Sequence, residues 1–280
     1  LIDVTSRRWM ITGVSTGLGR ALMEAALARG ERVVGTLRSI RDTEDVEARW
    51  PGQAKIVTLD VTKPESVTRA VAEAISWLGG LDVLVNNAGL GVFGPVEVCA
   101  VEDFAYCMDV NYYGLLRVTR AALPFLRESK GVLVNVASMA GIWANGGGAP
   151  YTAAKHAVVG VSEALHAELS PLGVRVICPL PGGFRTNFWD TKTSIREGLP
   201  EIYGSYPCGQ ITEQLKAHIG HEMGDPVKYA NTLIDLTALG SPPLYFVVGA
   251  DALLLVGRKV EAMSSELNQN RAVSTATAFD

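Results

Sequence analysis

The stretch "RWMITGVSTGLGRALMEAALARGERVVGTL", residues 8–37, decides the architecture. It opens on a short apolar run, RWMIT, and closes on a second, RVVGT. Residues 17–29 between them are rich in Ala and Leu, strong helix formers. Strand, helix and strand in this order make a βαβ unit. Gly13, Gly17 and Gly19 fall on a G-x-x-x-G-x-G spacing at the turn from strand to helix. Glycine there permits a tight turn and lets backbone N–H groups approach a phosphate, and the helix N-terminus behind it attracts negative charge. A glycine pattern alone also fits a plain connection. Its position in a βαβ unit points to a dinucleotide, with Ser15, Thr16 and Leu18 in the same loop and the two hydroxyls as further donors.

Outward from this unit the alternation continues. The runs KIVTL, LDVLV, GVLVNVA, VRVIC and LYFVV read as further strands, and 64–77, 102–127 and 151–170 as helices. The runs are continuously apolar, as strands buried on both faces are. The expectation is an α/β fold with a doubly wound, mainly parallel sheet of about seven strands and helices on both faces. No repeat, low-complexity tract or linker divides residues 1–280, which read as one domain. Residues 187–225 break the rhythm with Gly, Pro and scattered aromatics, and read as a lid over the substrate. From about residue 268 the chain is polar and is expected to be a mobile tail.

Composition narrows the class. The chain has 280 residues, 48% hydrophobic and 19% charged, enough for a sizeable core. A net charge of −4 gives no reason to expect nucleic acid or an anionic membrane as partner. No apolar run reaches the roughly 18 residues of a membrane span, and no leader-like apolar stretch follows Arg7 and Arg8. Cys99, Cys107, Cys178 and Cys208 form no C-x-x-C pair and read as reduced thiols. A cytoplasmic location is the expectation. "HIGHE", with His218, His221 and Glu222, offers no evident third ligand, so no metal is expected.

The second strand bears on which dinucleotide is used. NAD sites place an acid at its end, on the ribose hydroxyls. Here Leu37 and Arg38 stand there instead. A guanidinium forks onto a 2′-phosphate, so NADP(H) is the expected cofactor.

At the other end of the chemistry lies "YTAAK". Tyr151 and Lys155 are four apart on a helix and share a face. A nearby ammonium favours the phenolate, which tunes tyrosine toward acid–base work. The pentapeptide alone also fits a packed tyrosine and a solvated lysine. It is joined by Ser138, at the carboxyl end of strand GVLVNVA, where ligands of parallel sheets bind. Asn111 sits in a helical segment that asparagine disfavours and needs a partner there, a water shared with Lys155 being one choice.

Together these features resemble the short-chain dehydrogenase/reductase family through about residue 190. The matching segments are TGVSTGLG (12–19), LDV (59–61), NNAG (86–89), Asn111, Ser138, YTAAK (151–155) and PGGFRT (181–186). The resemblance implies a Rossmann fold. It implies that Tyr151 protonates a ketone oxygen held by Ser138, that Lys155 binds the nicotinamide ribose, and that Asn111 positions a relay water. Asp60 would meet the adenine beside Val61. Asn87, Ala88 and Gly89 would line the adenosine side. Pro181, Gly182, Phe184 and Thr186 would hold the nicotinamide. The sequence ending at Arg38 is similar to NADP-preferring members related to 17β-hydroxysteroid dehydrogenases. Two departures stand out. Ala137 occupies a place where many members carry serine. Pro179 lacks a ladder donor, so the end of its strand is expected to be unpaired.

The reading that follows is an NADPH-dependent reductase of a bulky, fairly apolar ketone or aldehyde, reversible as an alcohol dehydrogenase. Phe93, Trp143, Phe188, Trp189, Tyr203 and Tyr206 are candidate pocket walls. The alternatives are a redox-neutral isomerase, dehydratase or cyclase on the same site, and a cofactor sensor without catalysis. The helix 151–170 is apolar on more than one face, and a homodimer or homotetramer built through it is expected.

Overall fold

A computed structural model of the chain describes residues 6–39, 44–196, 198, 201–204, 217 and 219–279. Each of the seven apolar runs becomes a strand of one parallel sheet. In chain order these are β1 (Arg8–Thr12), β2 (Arg32–Leu37), β3 (Ala54–Thr58), β4 (Val83–Asn86), β6 (Val132–Asn135), β7 (Arg175–Pro181) and β9 (Tyr245–Val248). Their spatial order is β3-β2-β1-β4-β6-β7-β9. The order reverses between β1 and β4, and a crevice opens beyond the carboxyl ends of strands at such a reversal. A separate parallel pair joins β5 (Gly91–Phe93) to β8 (Thr193–Ile195).

Successive residues of a strand point to opposite faces, so each strand feeds two cores. Trp9 and Ile11 of β1 pack on one side with Leu22 and Met23 of α1 (Gly17–Ala28) and Leu233 and Ile234 of the helix Pro226–Ala238. Met10 packs on the other with Val67 and Val71 of α3 (Pro64–Leu78) and Val118 and Leu126 of α5 (Gly114–Ser129). The remaining helices are α2 (Glu44–Arg49), α4 (Val101–Met108), α6 (Ala149–Leu169), α7 (Phe188–Thr191), α8 (the Pro226–Ala238 helix) and α9 (Ala250–Thr275). Helix ends follow local chemistry: Pro64 opens α3, Gly79 closes it at φ +76°, and the Asp225 carboxylate caps α8 on the amides of Val227 and Lys228. Among the described residues no helix is long and apolar enough to cross a membrane.

Residues 268–275 form the last turns of α9, and no glycine or proline interrupts that helix after Gly257. Two expectations are corrected. The end of β7 is not unpaired: Cys178–Pro181 leave β6 and pair with Tyr245–Val248 of β9. The amides of Cys178 and Gly182 donate to β9 and the residue before it, while the Pro179 carbonyl accepts from Ala137 on the opposite side. Both prolines thus turn their donor-free nitrogens away from β9, beyond the end of β6. The segment 102–127 is not one α-helix either. A π-helical turn, Asp109–Tyr113, separates α4 from α5.

A chain of buried side chains ties the centre of the sheet to its helices. Asn86 Nδ2 donates to Thr119 Oγ1 and to Asn135 Oδ1, and Asn135 Nδ2 donates to Ser162 Oγ on α6. Asn135 is fully buried, so removing its amide orphans partners that water cannot reach. Asn135→Ala is expected to lower the unfolding free energy by roughly 2–4 kcal/mol in urea titrations.

Candidate active site

The glycine turn is shaped by what stands against it. Gly13 and Gly17 hold φ +76° and +67°, a region glycine occupies without strain. A Cβ on Gly13 would lie 2.9 Å from the Ala88 Cα, and one on Gly19 would lie 2.3 Å from the Asn87 amide nitrogen. The same Asn87 Nδ2 donates to the carbonyls of Thr12 and Gly13. Thr12 Oγ1 in return accepts from the backbone amides of Asn87 and Ala88. Asn87 therefore braces the glycine turn, its side-chain nitrogen spent on the Thr12 and Gly13 carbonyls.

One cavity of about 950 Å³ runs from this turn across the carboxyl ends of the strands. All the candidate site residues line it except Gly19, which sits behind the turn under Asn87. At the far end of β2, Arg38 faces Asp60. Burial pushes the Asp60 carboxyl up, but the Thr62 hydroxyl and amide and then the Arg38 guanidinium hold it below its ordinary value.

The chemical end lies where β6 and α6 converge. Ser138 caps the short 3-10 turn Met139–Gly141, accepting from Ala140 N at 3.1 Å; its hydroxyl reaches the Pro181 carbonyl at 3.5 Å, and the Tyr151 phenol lies beside it. Lys155 is 5% exposed and donates to the Val136 carbonyl at 2.8 Å, with Nζ 5.7 Å from the Tyr151 ring centre. Burial pushes the tyrosine phenol up, opposed by the neighbouring Ser138 hydroxyl. Burial pushes the lysine down to about 8. The expected lowering of the phenol by its lysine is thus not what the structure shows: desolvation is the largest influence on both groups. Asn111 differs as well. Its side chain is held by Leu90 N, Leu90 O and Cys107 O, not by Lys155. It lies in the π-helical turn, a feature that recurs at functional sites.

The substrate end is aromatic. Phe93 packs on Tyr151 and Trp189 with ring centres 5.4 and 5.0 Å away, and Phe188 packs on Tyr151 at 5.9 Å. Trp143 also lines the cavity. Tyr203 instead bonds Glu97, and Tyr206, His218 and Cys208 lie outside the described residues. Cys99, Cys107 and Cys178 are buried free thiols. Of the expected lid, 188–196 forms a strap: α7 runs into β8, which pairs with β5, and Arg196 Nε donates to Asp103 at 2.8 Å. Residues 205–216 are outside the described residues.

One lining residue carries no signal in the sequence. Lys192 leaves the strap and donates from Nζ to Ser15 Oγ of the glycine turn at 3.3 Å, while its carbonyl accepts from Gly91 N. No spacing or neighbouring motif marks Lys192; only the fold brings these distant residues together.

A family model described as short chain dehydrogenase matches residues 7–197. The chain is 34% identical to Oxidoreductase BOA17 of Botryotinia fuckeliana over 275 residues, covering 96% of this chain and 98% of that protein. It is 35% identical to the 3-ketodihydrosphingosine reductase of Bacteroides thetaiotaomicron, covering 86% and 87%. It is 33% identical to the NADPH-dependent 3-dehydrocapnine reductase of Ornithobacterium rhinotracheale, covering 78% and 79%. A short-chain dehydrogenase structure from Streptomyces avermitilis superimposes with a TM-score of 0.91 at 34% identity, covering 98% of this chain and all of that one.

The depressed Lys155 carries a stability cost with a definite pH window. Its pKa falls from 10.5 free to about 8 folded. Below about pH 8 the folded chain holds the ammonium at full cost, on the order of 3 kcal/mol, and the cost is relieved as pH rises from 8 toward 10.5. Lys155→Met keeps the stem and removes the charge, though it orphans the Val136 carbonyl at about 1 kcal/mol. The variant is expected to unfold at higher denaturant than the wild type at pH 7. The gain should shrink between pH 8 and 10.5.

Proposed function

The chain belongs to the short-chain dehydrogenase/reductase family, and from that premise we propose that it reduces a bulky, apolar ketone or aldehyde with NADPH. The observation that carries this reading is that Ser138, Tyr151 and Lys155 line one cavity together, set between an aromatic wall and a glycine turn. Oxidoreductase chemistry is the family's; the substrate and the NADPH preference are our inference.

The residues fit a nicotinamide dinucleotide phosphate. The turn at Gly13–Gly19 leaves no room for a Cβ at either end, which suits close backbone approach to a pyrophosphate. Arg38 stands where an NAD site keeps an acid, and Ser15 and Thr16 add donors for phosphate oxygens. Leu18, Val61, Ala88 and Gly89 line the adenosine side, and Pro181, Gly182, Phe184 and Thr186 the nicotinamide side. Bound there, the cofactor supplies the hydride.

The chain's own residues do the rest. Ser138 Oγ donates to the substrate oxygen and fixes it beside Tyr151 Oη, from which the proton passes as negative charge develops. Lys155 places a positive charge behind the tyrosine and below about pH 8 holds it there, so that the phenolate left after transfer is stabilised. Asn111 fixes the π-helical turn against Leu90 and so sets the backbone through which a water reaches Lys155. Phe93, Phe188 and Trp189 exclude water from one side of the carbonyl and favour an apolar body. Two relatives, a 3-ketodihydrosphingosine reductase and a 3-dehydrocapnine reductase, are reductases by name, and the second is NADPH-dependent, which supports the direction and cofactor proposed. Buried free thiols suit a reducing compartment such as the cytoplasm.

Assayed against bulky ketones and aldehydes, the wild type is expected to consume NADPH and to use NADH poorly. Tyr151→Phe should lose roughly 10²–10⁴ in kcat while still binding cofactor. Arg38→Leu should narrow the NADPH-over-NADH preference by about ten- to a hundredfold, the worth of a charge-assisted hydrogen bond. NADPH that binds and is never consumed on any of these carbonyls would overturn the reductase reading.

Lys192 adds a prediction of its own. An ammonium on Ser15 Oγ stands within reach of a phosphate on the glycine turn. Lys192→Met is expected to weaken NADPH binding about tenfold, read by cofactor fluorescence. An equal loss for NADH marks a contact to the shared pyrophosphate; a loss confined to NADPH marks the 2′-phosphate.

A further inference from the structure

Helix α9 outruns the body it grows from. Its first turns pack on β9 and on the Met139–Gly141 turn, burying Ala252 and Val256. After Gly257 every residue through Phe279 is exposed. Roughly 18 helical residues, ~27 Å, thus stand in solvent, a length at which an isolated helix is marginal in water. They are not polar all round. Val260, Met263, Leu267 and Val273 are each about half exposed or more, and Leu253 is exposed at the root.

The spacing says what covers them. Leu253, Val256, Val260, Met263 and Leu267 follow alternating steps of three and four, the seam of a helix that pairs with a helix. Val256 is already covered by the body, so the seam continues the body-facing line past the edge of the core. We propose that α9 is an assembly arm: it pairs antiparallel with α9 of a second copy of this chain, about a twofold axis at Met263.

Three observations choose this occupant. The pattern is self-complementary. Met263 sits on the axis and Val260 and Leu267 flank it by one turn, so the twofold sets Val260 beside Leu267 of the second copy on either side of Met263. Charge agrees. The same alignment sets Lys259 beside Glu266 of the second copy, once on each side of the axis. Shape excludes the parallel alternative. The seam runs into the body at Val256, so a parallel partner would drive its own body into this one, whereas an antiparallel partner brings only its thin tip. A lipid surface fits less well: the stripe is narrow, and α9 carries Asp251, Glu261 and Glu266 against Arg258, Lys259 and Arg271 instead of a basic face.

Sedimentation of the full chain at micromolar concentration tests the arm. Met263→Glu is expected to halve the mass of the assembly, with circular dichroism and NADPH binding unchanged. Lys259→Glu should weaken it, and Lys259→Glu with Glu266→Lys should restore it. Cysteine pairing supplies a readout that does not depend on a disruptive variant. In a Cys208→Ser background, where the described native thiols are buried, Met263→Cys should form a disulfide dimer under mild oxidation and Arg258→Cys should not. Val260→Cys mixed with Leu267→Cys should form the heterodimer. An unchanged mass for Met263→Glu, Met263→Cys dimers no more abundant than the Arg258→Cys control, or Leu267→Cys pairing with itself would overturn the proposal. So would loss of vesicle co-sedimentation in Leu267→Glu with no change of mass, which would mark a membrane as the occupant.

Discussion

The whole site hangs on the contact between the end of β1 and the end of β4. Thr12 Oγ1 receives the amides of Asn87 and Ala88, and the Asn87 side chain returns two hydrogen bonds to the Thr12 and Gly13 carbonyls. These turns leave the sheet where its strand order reverses, so each would otherwise diverge into solvent. Locked together, they set the floor of the cavity and the direction of α1. The glycines follow from this constraint. Gly13 and Gly19 are small because Ala88 and Asn87 stand against them, before any phosphate is considered. A turn shaped by packing is preorganised, and preorganised donors need no rearrangement to receive charge.

The chemical end is built the opposite way, at the expense of stability. The fold keeps an ammonium and two free thiols out of water within one region, beside a half-buried phenol: burial pushes Lys155 down to about 8 and both Cys107 and Cys178 up to about 11. The thiols remain neutral and add no charge to the neighbourhood. The lysine is held in place by the Val136 carbonyl, at the end of the strand that carries Ser138. Stability is thus lowered at the point where the fold buries a charge, and the rest of the sheet, with its two closed cores, offsets it.

Much of this is legible in the sequence because the signals are local and periodic. All seven strands are continuous apolar runs, the glycine spacing sits inside a βαβ unit, and Ser138, Tyr151 and Lys155 lie on elements the pattern identifies. What escapes depends on relations that no window holds. Lys192 meets Ser15 only because β8 pairs with β5 and carries the strap back over the glycine turn. The π-helical turn at Asn111 arises from side-chain bonds to Leu90, which helix propensity does not register. The polar composition of 268–275 does not announce a helix, but helix continuation is set by the turn before it, and Glu261 through Leu267 propagate what Ala250 begins. Pro179 announces only the donor it lacks. Its alternation within β7 points that missing donor to the side where β6 has already ended.

The last helix also bears on the site. Asp251, in the first turn of α9, accepts the Gly183 amide at 2.6 Å. A Cβ on Gly182 would lie 2.2 Å from that carboxylate, so the turn after β7 is fitted closely around it. The turn after β7 that lines the cavity is therefore fastened to the root of the same helix whose outer turns stand in solvent. An arm held rigid along its length holds Asp251 more firmly than one that frays, since helix order propagates from turn to turn. Geometry at the floor of the cavity and the fate of an exposed helix some distance away are in this way one mechanical question, joined through a single carboxylate.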